Sequence, residues 1–176
     1  RSTRHRDAGQ GMTRAIATFF GVGLLRPAPG TWGSLVAVLL GWALCFYAGF
    51  PALVLGIAVA IAAGFWAIGA ELRDRAGEDP SEFVIDEVAG QWIALAFPAA
   101  AFWARGWDDW LPWPAPVAAF LFFRLFDIWK PWLVGRADRR GDAAGVMVDD
   151  LWAGVFAGVA AILAAALYHI PLILMG

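Results

Sequence analysis

The feature that limits this chain most is a run of 24 residues, Leu151 to Leu174, that contains no Asp, Glu, Lys or Arg. About 20 apolar residues cross a hydrocarbon core, and lipid supplies no partner for backbone polar groups, so such a run folds as a spanning helix. Ser34 to Phe50, Ala52 to Ala70, Val88 to Ala104, and Leu111 or Ala115 to Trp129 read as further spans. The composition agrees: 61% of the 176 residues are hydrophobic and the mean hydropathy is +0.65, against roughly 45–50% apolar usage in soluble domains. The predicted fold is all-α, a polytopic membrane helix bundle with about five spanning helices in one membrane-embedded domain over residues 12–176.

The connections refine this picture. Gly49-Phe50-Pro51 leaves room only for a tight reversal, so the first two spans are expected to form an antiparallel hairpin. Pro98 is expected to kink the third span, and Pro131 to end the fourth near Lys130. Gly154 and Gly158 share one face of the fifth, where a neighbour can approach closely. Thr13 to Leu25 carries Ile16, Phe19 and Phe20 at helical spacing but is too short to span, and reads as an interfacial or re-entrant helix. Residues 1–11, with Arg1, Arg4 and Arg6, read as a mobile basic leader without a signal-peptide core. Trp103, Trp107, Trp110 and Trp113 are expected to form an interfacial belt.

Alternating spans gather Arg1, Arg4, Arg6, Arg14, Arg26, Arg73, Arg75, Lys130, Arg136, Arg139 and Arg140 on one side and leave Arg105 on the other. Positive charge concentrates on the cytoplasmic side, so the crowded face is predicted to be cytoplasmic and the C-terminus external. A net charge of −2 and the absence of a basic run argue against a nucleic-acid partner. The single cysteine, Cys45, lies within a span, which excludes an intrachain disulfide and a Cys-based metal cluster.

The same topology brings four polar motifs to the crowded face: Gly30 to Ser34 (GTWGS), Asp86-Glu87, the series Arg124, Asp127 and Lys130, and Asp149-Asp150. Acids at helix starts serve as caps as readily as ligands, and Thr31 and Ser34 suit either a cap or a phosphate held at a helix N-terminus. Asp127 is more telling. It falls in the last turn of its helix, where an anion is disfavoured by about 0.3–1 kcal/mol, so Arg124, Lys130, a metal or a substrate has to compensate it. Lys130 is the one lysine among 13 basic residues, and its compact charge suits a phosphate oxygen.

Five carboxylates without a nearby His or Cys select a hard cation, Mg²⁺ first and Mn²⁺ second. His5 and His169 are far from these motifs, which excludes a Ser-His-Asp hydrolase and a His-based phosphatase, and Cys45 is badly placed for a Cys phosphatase. Metal-assisted phosphoryl chemistry with a carboxylate base remains.

APGTWGS (Ala28 to Ser34), EFVIDEVAGQWIAL (Glu82 to Leu95), FRLFDIWKPW (Phe123 to Trp132) and GVMVDDLWAG (Gly145 to Gly154) resemble the signature blocks of the phosphatidylglycerophosphatase A family. The resemblance implies a multi-pass enzyme of the bacterial inner membrane that uses Mg²⁺ to remove the terminal phosphate of the phospholipid phosphatidylglycerophosphate. It implies that Asp86, Glu87, Asp127, Asp149 and Asp150 hold the metal. Thr31, Ser34, Arg124 and Lys130 would bind the phosphate, and Asp86, Asp127, Lys130 and Asp150 would carry catalysis, with Asp150 or Asp86 activating water. One departure stands out: Asp142-Ala143 occupies the place of the family's usual glycine pair, which implies a stiffer loop or an extra acid. Two other readings compete. A lipid phosphotransferase also uses acid clusters, but its D-G-x2-A-R-x8-G-x3-D-x3-D pattern is missing. A small cation or phosphate transporter predicts acids at the bilayer midplane and repeated halves.

Overall fold

The computed structural model describes the backbone of residues 2–74, 80–107, 111–140 and 142–175, and the side chains of 9–73, 80–107, 111–140 and 142–168. Trp110 of the expected belt, Arg75, and the side chains of Arg1, Arg4, Arg6, His5 and His169 lie outside the described residues. Six α-helices follow in order, with no strand among the described residues: α1 (Ser2–Ala17), α2 (Pro29–Glu71), α3 (Ile85–Trp103), α4 (Pro114–Trp129), α5 (Leu133–Asp138) and α6 (Ala143–Met175). Short 3₁₀ turns stand at Val22–Leu24 and Leu72–Asp74. Helix α6, over Ala143–Tyr168, and α2 are long and apolar enough to cross a membrane.

The 43 residues of α2 are not one rod. Gly49 adopts φ 76°, ψ 174° two residues before Pro51, a backbone that glycine reaches without a Cβ clash. Packing shows that the chain reverses there. A Cβ on Gly41 would lie 2.8 Å from the Trp92 ring, and one on Gly56 would lie 3.0 Å from the same ring. A continuous helix would hold those two positions about 22 Å apart. The indole therefore sits between the two limbs of a hairpin, as the Gly-Phe-Pro sequence predicted, and its Nε1 donates to the Ala37 carbonyl at 2.7 Å.

Helix α3 is the central element, packed on α2 along one side and on α6 along the other. Its approach to α6 is close because Gly90 faces Gly154: a Cβ on Gly154 would come within 3.1 Å of the Gly90 Cα, and one on Gly90 within 2.6 Å of Phe123. The two ends of α3 differ. At its C-terminal end Phe50 meets Trp103 at 5.4 Å between ring centroids, Trp42 Nε1 donates to the Leu111 carbonyl at 2.8 Å, and Trp103, Trp107 and Trp113 are exposed. At its N-terminal end the acids gather.

Three boundaries depart from expectation. The helix expected from Thr13 begins at Ser2 and stops at Ala17, because Phe19, Phe20 and Gly21 all take positive φ. Helix α2 begins at Pro29 without a side-chain cap, so Thr31 and Ser34 lie inside it; the Ser34 hydroxyl donates to the Gly30 carbonyl at 2.7 Å. Helix α6 begins at Ala143, two turns ahead of Leu151. Asp142 caps it, its Oδ1 accepting from the Gly145 N–H at 2.7 Å.

Candidate active site

That early start of α6 decides the role of the two acids before Leu151. Asp149 and Asp150 are beyond its first turn, so neither caps it, and both are buried, at 6% and 3% exposure. Asp150 reaches the N-terminal turn of α3, where Asp86 and Glu87 stand. One carboxylate oxygen from each of Asp86, Glu87 and Asp150 lies within 4.8 Å of the others. Asp127, in the last turn of α4, adjoins both Asp150 and Glu87, and Asp149 is near Asp86. Four segments separated in sequence thus meet at one end of the bundle.

Two cations flank the cluster. Arg124 Nη1 pairs with Asp127 at 2.5 Å and reaches the Ser34 hydroxyl at 3.4 Å. Lys130 Nζ bonds to Asp149 Oδ2 at 3.1 Å and also to Asp138 of α5. Burial pulls the Lys130 ammonium down, but the hydrogen bonds to Asp138 and Asp149 outweigh it and hold Lys130 above the ordinary lysine range. It stays charged. The expected ladder in which both Arg124 and Lys130 flank Asp127 is therefore only half present, because Lys130 turns away to α6. Its backbone explains this: Lys130 ends α4 at φ 49°, ψ 54°, and Trp132 follows at φ 41°.

Asp86, Glu87 and Asp150 have no basic side chain bonded to them among the described residues. At an effective dielectric of about 20, two unit charges about 5 Å apart repel by roughly 3 kcal/mol. Three ionised carboxylates at this spacing need a cation, and an all-oxygen set suits Mg²⁺ or Mn²⁺. Glu87 Oε2, buried and without a hydrogen-bond partner among the described residues, is an open acceptor that fits such an ion or a water bound to it.

The family model for phosphatidylglycerophosphatase A matches residues 15–165. The chain belongs to this family. A protein of Bacteroides thetaiotaomicron, provisionally named a phosphatidylinositol-3-phosphatase, is 41% identical over 146 residues, covering 80% of this chain and 86% of its own. Proteins of Haemophilus influenzae and Escherichia coli, both named phosphatidylglycerophosphatase A, are 34% and 33% identical; the matches cover 81% and 86% of this chain and 82% and 86% of theirs. No solved structure matches.

As a member of the phosphatidylglycerophosphatase A family the chain is an enzyme of the phosphatase class. Thr31 is half-buried in the first turn of α2, beside Gly30. A Cβ on Gly30 would collide with Glu87 Oε1 and lie 3.3 Å from Arg124 Nη1, so this glycine admits both side chains to the site. Gly30→Ala is expected to lower kcat/KM by about a hundredfold through displacement of Glu87, with the unfolding temperature nearly unchanged. Activity within threefold of wild type would show that Glu87 needs no fixed place.

The departure at Asp142 also finds its use: pairing with Arg140 and the Gly145 N–H hold its carboxyl below the usual range, so it serves as an ionised cap. Sequence reasoning missed Asp138 and Gln91. Asp138 has no signal short of the turn that folds α5 back on Lys130. Gln91 does have one, since it follows Glu87 by four residues on the same helix.

Proposed function

We propose that this protein hydrolyses the terminal phosphate of phosphatidylglycerophosphate to give phosphatidylglycerol and phosphate, with a divalent cation, Mg²⁺ by preference. The reading rests on one observation, the trio of buried Asp86, half-buried Glu87 and buried Asp150 flanked by Arg124 and Lys130, in a chain of this family. Asp86, Glu87 and Asp150 would hold the cation, with Asp127 and Asp149 beside them. Such an ion supplies Lewis-acid stabilisation of phosphoryl charge and a more acidic bound water.

The chain's own groups do the rest. Arg124 and Lys130 face the phosphoryl oxygens, and the Thr31 hydroxyl, in the first turn of α2, binds the same anion, with the Ser34 hydroxyl behind it accepting from Arg124. Asp150 or Asp86 accepts a proton from water as its oxygen bonds to phosphorus and the bond to the glycerol oxygen breaks. The released alkoxide takes up a proton to become the lipid alcohol.

The membrane arrangement follows the apolar segments. The two limbs of α2, then α3, α4 and α6 are five spans, and the excess of Lys and Arg at the acid end puts the site at the cytoplasmic face of a bacterial inner membrane. A phospholipid then reaches the site from the inner leaflet without leaving the bilayer.

The relative named for phosphatidylinositol 3-phosphate favours a second headgroup, so the assay compares the two lipids. Phosphate release from phosphatidylglycerophosphate is expected to fall to background with EDTA, to return with Mg²⁺, and to exceed release from phosphatidylinositol 3-phosphate by at least about tenfold, a difference of roughly 1.4 kcal/mol in activation free energy. Activity indifferent to chelator would remove the cation. Faster turnover of the inositol lipid would replace the substrate.

A further inference from the structure

Gln91 is a buried polar side chain that the chemistry above leaves unused. It is 0% exposed, and neither its Nε2 nor its Oε1 has a hydrogen-bond partner among the described residues. Native interiors retain few such groups, because a buried amide without partners has lost its water and gained nothing. A partner from outside the chain is therefore expected. Its location says which kind. Four residues after Glu87 on α3, Gln91 lies one turn, about 6 Å, further into the bundle and about 40° around the axis.

Two more buried atoms at this end lack partners among the described residues: Glu87 Oε2, from one turn earlier on α3, and Arg124 Nε, from the side chain that meets Glu87 around Gly30. Their chemistries are complementary. A guanidinium N–H only donates, a carboxylate only accepts, and a carboxamide does both. A bare cation would leave Arg124 Nε and Gln91 Nε2 without partners, and a phosphate oxygen would leave Glu87 Oε2 and Gln91 Oε1. Water satisfies donors and acceptors together.

We propose that Gln91 is a positioning residue of the acid cluster, its carboxamide holding with Glu87 Oε2 and Arg124 Nε a water molecule that adjoins the bound divalent cation. This rests on the cluster being a cation site, so the test measures cation binding separately. Gln91 and Gln10 are the only carboxamides in the chain, which has no asparagine. Glutamine labelled with ¹⁵N therefore gives two side-chain NH₂ pairs, and Gln10→Met, at an exposed position of α1, assigns them. In the full-length protein in micelles, Mn²⁺ is expected to broaden the Gln91 pair beyond detection and leave that of Gln10 sharp. Gln91→Met is expected to raise the Mg²⁺ concentration that half-saturates the thermal shift by about tenfold, without lowering the unfolding temperature in chelator.

A Gln91 pair that stays sharp while Mn²⁺ saturates the wild-type thermal shift would overturn the proposal, and this measurement does not depend on the variant folding. So would an unchanged Mg²⁺ dependence in Gln91→Met. Absence of any ion-induced shift in wild type would sink the cation site and this proposal with it.

Discussion

Exchange of Asp150 for Asn is expected to cut phosphate release by about a thousandfold or more while raising the unfolding temperature of the metal-free protein. The two effects come from one side chain. Asp150 has Asp86, Glu87, Asp127 and Asp149 as neighbours, and no basic side chain is bonded to it among the described residues. Without a metal its charge is a liability, and each repulsion relieved is worth a few kcal/mol at an effective dielectric of about 20. Asn has the same shape, so the packing of the Asp150 backbone on Gly90 is kept. In a chain of this length 1 kcal/mol moves the midpoint by about 2–4 °C, so a rise of several degrees is expected in EDTA. With Mg²⁺ the order reverses, because wild type gains binding energy that the variant loses. Thermal unfolding in micelles with and without Mg²⁺, beside a phosphate-release assay, reads both. Retention of a tenth of the activity would remove Asp150 from the mechanism. An unchanged midpoint in EDTA would show that the cluster carries no net repulsion.

The parts of this site that were legible in the sequence are those fixed by short-range chemistry. Gly49-Phe50-Pro51 admits only a reversal, and the reversal brings the start of α2 back beside α3, where Gly30 meets Glu87. The placing of acids at the ends of apolar runs led to Asp86, Glu87 and Asp150, which meet within 4.8 Å. The start of α6 is not legible in the apolar run from Leu151, which begins two turns inside the helix. A helix need not stop where its apolar run stops, and Asp142 with Ala143 and Ala144 is a good cap followed by good helix formers.

Partner choice was not legible. Arg124 and Lys130 are spaced alike about Asp127, yet only Arg124 bonds to it. The difference arises in two consecutive departures from ordinary backbone, at Lys130 and Trp132 on either side of Pro131, which no local propensity predicts. Gln91 was hidden for another reason. Within the block EFVIDEVAGQWIAL it passes for one polar residue on a buried helix, and only the absence of any partner around its amide marks it.

Lys130 carries the second large effect, and its two salt bridges make the expectation specific. Lys130→Met is expected to lower kcat/KM by about a hundredfold to a thousandfold, the range for loss of one preorganised donor to a developing oxyanion. It also leaves Asp149, at 6% exposure, without its cation beside the acid trio. A stability loss follows, tempered because the Lys130 side chain is itself one-third exposed. The two consequences separate in a double variant. Lys130→Met with Asp149→Asn removes both charges of the pair, so the midpoint should return most of the way to wild type while activity stays low. Lys130→Arg tests the geometry. It keeps the charge, but a planar fork does not replace an ammonium that bonds Asp138 and Asp149 and, on the proposed mechanism, would reach a phosphate oxygen from the same point. Activity at least tenfold below wild type is expected there too. If Lys130→Arg is fully active, charge alone suffices. If the double variant recovers activity together with stability, Lys130 only neutralises Asp149 and does not touch the phosphate.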